Sequence, residues 1–130
     1  MGTRLFITAL ALIVAACNGR LTSPTVPATF TLKPGQTATT QGVAVTFRQV
    51  LSDSRCPINA LCVWAGEATV EFSVRGRGQA ARYELQLGID PARRTVAHQN
   101  IVLEFQALQP HPVGGQPTDP DSYRATIEIR

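Results

Sequence analysis

The apolar residues of this chain recur with a period of two, and that alternation restricts it to β-structure. Phe30 and Leu32 alternate with threonine and lysine, and Val43, Val45 and Phe47 with Ala44, Thr46 and Arg48. Val70, Phe72 and Val74 alternate with Glu71, Ser73 and Arg75, and Tyr83, Leu85 and Leu87 with Arg82, Glu84 and Gln86. Ile101, Leu103 and Phe105 make a fifth set, and Tyr123, Ala125, Ile127 and Ile129 a sixth. Successive side chains of a strand point to opposite faces, so each run has one apolar and one polar face, as in antiparallel sheet buried on one side. Turn residues in "KPGQ", "QG", "RGRG", "GIDP" and "PVGGQPTDPDS" bound the runs, and no segment sustains a helical period. The expectation is an all-β domain over 29–130. It is a single antiparallel β-sandwich, or flattened barrel, of about seven strands, each sheet covering the apolar face of the other.

One hairpin can be placed in register from its charges. A two-residue turn at Gly76 and Arg77, with glycine first, suits type II′ and sets Arg75 opposite Gly78 and Glu71 opposite Arg82. Sliding the pairing by two residues would set Glu71 against Glu84, and like charges directly opposite destabilise. The first register is therefore expected.

The start of the chain bears on location. Arg4 precedes an unbroken apolar run from Leu5 to Val14, followed by Ala15, Ala16 and Cys17. A basic residue, a short apolar segment and small residues form the pattern of a secretory signal, and the run is too short to span a bilayer as a mature helix. "VAAC" resembles the lipobox of bacterial lipoproteins. That resemblance implies cleavage after residue 16, a diacylglyceryl thioether and an N-terminal acyl chain on Cys17, and attachment to a membrane. Two or more acyl chains hold firmly where one binds marginally. By the same resemblance Asn18, standing where an aspartate retains such proteins at the inner membrane, favours the outer membrane in a two-membrane cell. Residues 17–28, with Pro24, Pro27 and several hydroxyl residues, have a linker's composition. The formal charge falls from +3 to +2 without Arg4, too little for a nucleic-acid footprint.

The remaining cysteines, Cys56 and Cys62, lie in "DSRCPINALCVWAGEA", which spans 53–68. Zinc needs four ligands, or three and a water, and His98 and His111 lack knuckle spacing with the cysteines or with each other. A redox pair would read C-x-x-C, whereas Pro57 follows the first cysteine here and four residues separate the two. In an oxidising compartment the pair reads as a structural disulfide. Closing so small a ring stabilises by about 2.4 kcal/mol in the chain-entropy model. Arg55, Pro57, Ile58 and Leu61 are expected to form a candidate binding loop on this staple, with Arg55 and Ile58 facing outward. Trp64 is expected to join the core where the next strand begins, because a large aromatic is usually buried.

"DSRCPINALCVWAG" also resembles a segment of small exported bacterial proteins that share an "L-x-P-x-P" turn and a last Y-x-A-x-I strand, here "LQPHP" and "YRATIEI". The resemblance covers most of 30–130 and implies fold and location without supplying a reaction. The immunoglobulin pattern does not fit, because its bridge joins distant strands. Neither histidine has a nucleophile or carboxylate constellation beside it in sequence, and the glutamates fall mostly on solvent faces. The expected function is non-enzymatic and needs no cofactor. It is that of a lipid-anchored cell-envelope binding module whose partner is an envelope protein. Inhibition of an exported hydrolase by the 55–65 loop and a purely structural envelope role are the alternatives.

Overall fold

The computed structural model describes residues 26–130, so the expected leader 1–16, Cys17 and most of the expected linker lie outside the described residues. The fold is all-β and antiparallel, with eight strands in two four-stranded sheets packed as an unclosed sandwich. In chain order these are β1 (Ala28–Leu32), β2 (Thr37–Thr40), β3 (Val43–Asp53), β4 (Ala68–Arg75), β5 (Ala81–Leu87), β6 (Thr95–His98), β7 (Ile101–Gln109) and β8 (Arg124–Ile129). One sheet runs β1-β8-β7-β6 and the other β2-β3-β4-β5. Two strands lie outside the six alternating runs, and both are short edges. In β2, "TATT", Ala38 alone is buried; β6, "TVAH", lies in a stretch that reads as polar. The sheet also starts one residue earlier than expected, with Ala28 paired to Ile129.

The inward positions of the alternating runs make one core. Phe47, Phe72 and Val74 of one sheet and Leu103, Phe105 and Ile127 of the other are fully buried. Phe72 joins the layers, its ring 5.8 Å from that of Phe47 and 5.6 Å, edge-on, from that of Phe105 across the interface. Bulges adjust the phase of the long strands. β3 carries shifts between Phe47 and Gln49 and between Val50 and Ser52, and β7 one between Phe105 and Ala107. An extra residue on one strand moves the next side chain to the other face. Hence Leu108, not Ala107, continues the core row of Phe105.

The β4–β5 hairpin takes the register that charge pairing disfavoured. Glu71 lies opposite Glu84, and Arg82 opposite Ser73, with a five-residue connection, Gly76 to Ala80, in place of the two-residue turn. Two terms outweigh the like-charge pair. This register sets Val74 against Ala81, Phe72 against Tyr83, Val70 against Leu85 and Ala68 against Leu87. A slip of two residues keeps the same face inward but would leave Val74 opposite Gln79 and Leu87 opposite Gly66, beyond the end of β4, so an apolar cross-strand pair is gained at roughly the same 0.2–1 kcal/mol that the like-charge pair costs. Arg48 on β3 approaches Glu71 from the other side at 3.9 Å. The longer connection is held by Gln99, whose amide nitrogen donates to the Arg77 carbonyl and whose amide oxygen accepts from the Arg77 N–H.

Pairings place the two ends of the sandwich. Ala28 and Ile129 share one end with the 76–80 and Gln99–Asn100 turns; Leu32, opposite Ala125, runs toward the 110–123 connection at the other. The 54–67 segment packs on that second end, as Ile58 N donates to Pro112 O. The chain therefore enters the sheet a strand length, roughly 20 Å at ~3.3 Å per residue, from the stapled loop.

Because Phe72 touches an aromatic partner in each sheet, Phe72→Ala should lower unfolding free energy by ~3–5 kcal/mol. Urea denaturation checks this, and a loss under 1 kcal/mol would mean that the sheets are not packed through these rings.

Candidate functional site

The 54–67 segment rises from β3 and β4 on a short ladder. Ser54 N donates to Glu67 O and Cys56 N to Ala65 O, each at 2.8 Å. Gly66 makes the crossing possible: its φ is +71°, and a Cβ there would overlap the Ser54 carbonyl. Cys56 and Cys62 are disulfide-bonded, with Cα atoms 5.9 Å apart. The head of the loop is tied sideways to the β7–β8 connection. Asn59 accepts from Gly114 N at 2.6 Å and donates to Gly114 O at 3.3 Å, and Ile58 N donates to Pro112 O at 3.0 Å.

Beneath this loop lies Arg55, whose orientation reverses the expectation. It is 6% exposed. Its Nε donates to Asp53 Oδ1 at 2.7 Å and its Nη2 to Asp53 Oδ2 at 2.6 Å, a two-pronged ion pair within one strand end. The other donors reach β7 of the opposite sheet and the connection after it: Nη1 to Leu108 O at 2.6 Å and to His111 Nδ1 at 3.4 Å, Nη2 to Pro110 O at 2.9 Å. All five guanidinium N–H groups thus have acceptors, the condition for burying an arginine. Arginine has no acceptor atom, so in this contact His111 Nδ1 is the acceptor. The Tyr123 hydroxyl donates to Asp53 Oδ2 at 3.1 Å and completes the carboxylate's shell.

Burial alone would raise the Asp53 carboxyl. The hydrogen bonds and charge of Arg55, helped by Tyr123, overcome it and hold the group below its ordinary value of 3.8. The Tyr123 hydroxyl moves the other way, raised by burial and by the charge of Asp53, with a bond to Thr118 opposing.

Trp64 also departs from its expected place. It is 78% exposed, not a core anchor. An extension of β4 backward would put residue 64 in phase with Ala68, Val70 and Phe72, but the left-handed turn at Gly66 breaks that phase and swings Trp64 out. Leu61, at 106%, and Val63 and Ile58 are exposed with it, whereas Pro57 is half-buried. From Cys56 to Gly66 the loop has no charged side chain. Exposed Ile89, on the β5–β6 connection, faces the same cleft as Trp64, a depression of ≈ 650 Å³ lined also by Gly66, Leu87, Arg94 and His111. A more polar depression of ≈ 630 Å³ lies around Arg48, Asp53, Asp121 and Tyr123.

The site thus has a charged, satisfied base and an apolar, water-facing head. Sequence reasoning missed Asp53, Tyr123, Val63 and Ile89. The D-x-R spacing was a usable signal for Asp53, since alternate residues of an extended chain share a face. The histidines serve different partners: His111 meets Arg55, and His98 Nδ1 lies 2.8 Å from the Tyr83 hydroxyl. Among the described residues no cluster of three His, Cys, Asp or Glu side chains could hold a metal. Comparison with family models finds no match, and neither do comparisons with curated proteins and with solved structures.

Arg55→Ala leaves Asp53 buried and unpaired, so it should cost ~3–5 kcal/mol, while Trp64→Ala should stay within about 0.5 kcal/mol of the parent. Chemical denaturation of both decides the loop's orientation; the reverse ranking would refute it. A second outcome concerns acid. The folded carboxyl of Asp53 sits below its unfolded value, so its contribution is complete above the ordinary 3.8 and is lost as pH falls through the folded value. Melting temperature should therefore decline below about pH 4, and Asp53→Asn, less stable at pH 7, should show a shallower decline. Equal slopes would remove Asp53 from the acid response.

Proposed function

We propose that this chain is a lipid-anchored cell-envelope protein acting as a non-enzymatic binding module, and that the stapled loop is its contact surface. The observation carrying this reading is the exposure of Leu61, Val63 and Trp64 on a loop restrained by a disulfide and by hydrogen bonds to the neighbouring connection. Exposed aliphatic and indole groups gain by leaving water, and a loop ordered beforehand loses little entropy on binding. Trp is also among the residues most enriched at binding hot spots. The anchor, on this reading, is Cys17, and the residues up to 27 give the domain reach from the membrane. The candidate contact residues become Ile58, Leu61, Val63, Trp64 and Ile89, while Arg55 supports them from below.

Two measurements test the two halves separately. Mass spectrometry of the membrane-extracted protein should find an acylated Cys17 as the first residue; an intact Met1 or a free Cys17 thiol would refute the anchor. Crosslinking in intact cells should recover a partner with the parent protein and at least tenfold less of it with a Trp64→Ala, Val63→Ser variant that melts normally. Equal recovery would remove the loop from the interaction.

A further inference from the structure

The cleft between the stapled loop and the β5–β6 connection holds polar chemistry that the apolar contact residues leave unused, and its meaning rests on the binding-module reading above. Its volume, ≈ 650 Å³, is that of a small-ligand site. Trp64, 78% exposed, lines it from the loop, and Leu87 and Ile89 line it from β5 and the connection after it. Two charged side chains, Glu67 and Arg94, line it as well, and among the described residues neither forms an ion pair. Both rest against Gly88: Arg94 Nη2 donates to its carbonyl at 2.7 Å, and a Cβ on it would meet the Cβ of Glu67 at 3.0 Å. Arg55, also at the cleft, is neutralised by Asp53. Arg94 has no such answer. Its Nε is shielded from water and has no hydrogen-bond acceptor, a deficit that a purely apolar ligand would leave in place.

We infer that this cleft takes the C-terminal end of a partner polypeptide whose last side chain is apolar. A carboxylate beside Arg94 gives the guanidinium the acceptors it lacks, and a fork turned toward that carboxylate no longer leaves Nε unpaired. The sign of the charge follows, because Arg55 is already matched and Arg94 is the cation of the cleft without a counter-charge. Glu67 selects among carboxylates. In a chain end the amide N–H of the last residue lies close to its carboxylate, and Glu67 can accept from it. A fatty acid has no such donor and would set a second anion near Glu67 with nothing to offset it. The apolar last side chain then lies between Trp64 and Ile89, and covering those exposed groups removes apolar surface from water. Capture of a chain-end carboxylate by donors fixed in advance is a recurring mode of peptide recognition.

Trp64 is the only tryptophan of the chain, so its emission reports on the cleft directly. The full-length protein is titrated with short N-acetylated peptides ending in leucine, as free acid and as amide. The free acid should move Trp64 emission to shorter wavelength with saturation, and the amide should bind roughly 10–100-fold more weakly, as expected for a lost hydrogen bond between charged groups. Arg94→Gln should melt like the parent and lose a similar factor; if that variant does not fold, the comparison of acid with amide on the parent decides alone. A free-acid peptide ending in serine should bind about tenfold more weakly than the leucine peptide. The inference is overturned if acid and amide bind alike, if a folded Arg94→Gln binds as the parent does, if the serine end binds as well as the leucine end, or if dodecanoate binds more tightly than the peptide. An emission shift that appears on concentrating the protein alone would assign the cleft to a second copy and overturn it too. Absence of peptide binding with Trp64-dependent capture in cells intact would sink the chain-end ligand while leaving the binding module; loss of both would sink the module itself.

Discussion

The buried Arg55–Asp53 pair is the interaction on which the functional end of this molecule depends. An arginine taken out of water needs an acceptor for each N–H, and Asp53, two residues earlier, can satisfy only part of the fork. The rest come from the Leu108 carbonyl on β7 of the other sheet and from the Pro110 carbonyl and His111 ring in the connection that follows it. The guanidinium therefore joins the two sheets at one end of the sandwich and fixes where the chain after it must go. Such a pair does not make a fold more stable than well-packed apolar groups would. Its consequence here is positional: with the base of the loop held, the head has one direction left, outward.

The disulfide works at a smaller scale. Its ring is short and entirely within the loop, so it orders the head without linking it to the scaffold. That link is supplied by Ile58 N on Pro112 O and by the two Asn59–Gly114 bonds. The segments "DSRCPI" and "LQPHP" meet here, the second offering carbonyls at Leu108, Pro110 and Pro112 to donors of the first, the Arg55 guanidinium and Ile58 N. Neither segment explains itself alone.

How far the fold was legible follows from which forces were local. Long strands with large inward residues, such as Val70-Phe72-Val74 and Ala125-Ile127-Ile129, announce themselves because burial and period coincide. β2 and β6 do not, since an edge strand with one apolar contact has almost no periodic signal. The hairpin register went wrong because charge was weighed without the apolar pairs, and because Arg48, on a third strand, could not be placed. In the loop, the staple was readable from the spacing of Cys56 and Cys62, whereas the side-chain orientations were not. Arginine is ordinarily exposed and tryptophan ordinarily buried, and both tendencies are overridden here. The acceptors of Arg55 lie more than fifty residues away, and the reversal at Trp64 depends on the left-handed Gly66.

The central claim is that the loop is rigidly held at its base and open at its tip, and amide hydrogen exchange in the native state measures both at once. The amides of Cys56 and Ile58, bonded to Ala65 O and Pro112 O, should be protected nearly as well as those of β4, and Leu61 and Val63 should exchange as in an exposed peptide. Uniformly fast exchange from Cys56 to Ala65 would contradict the account, because a loop that opens that freely is not held by Arg55 and presents no defined surface.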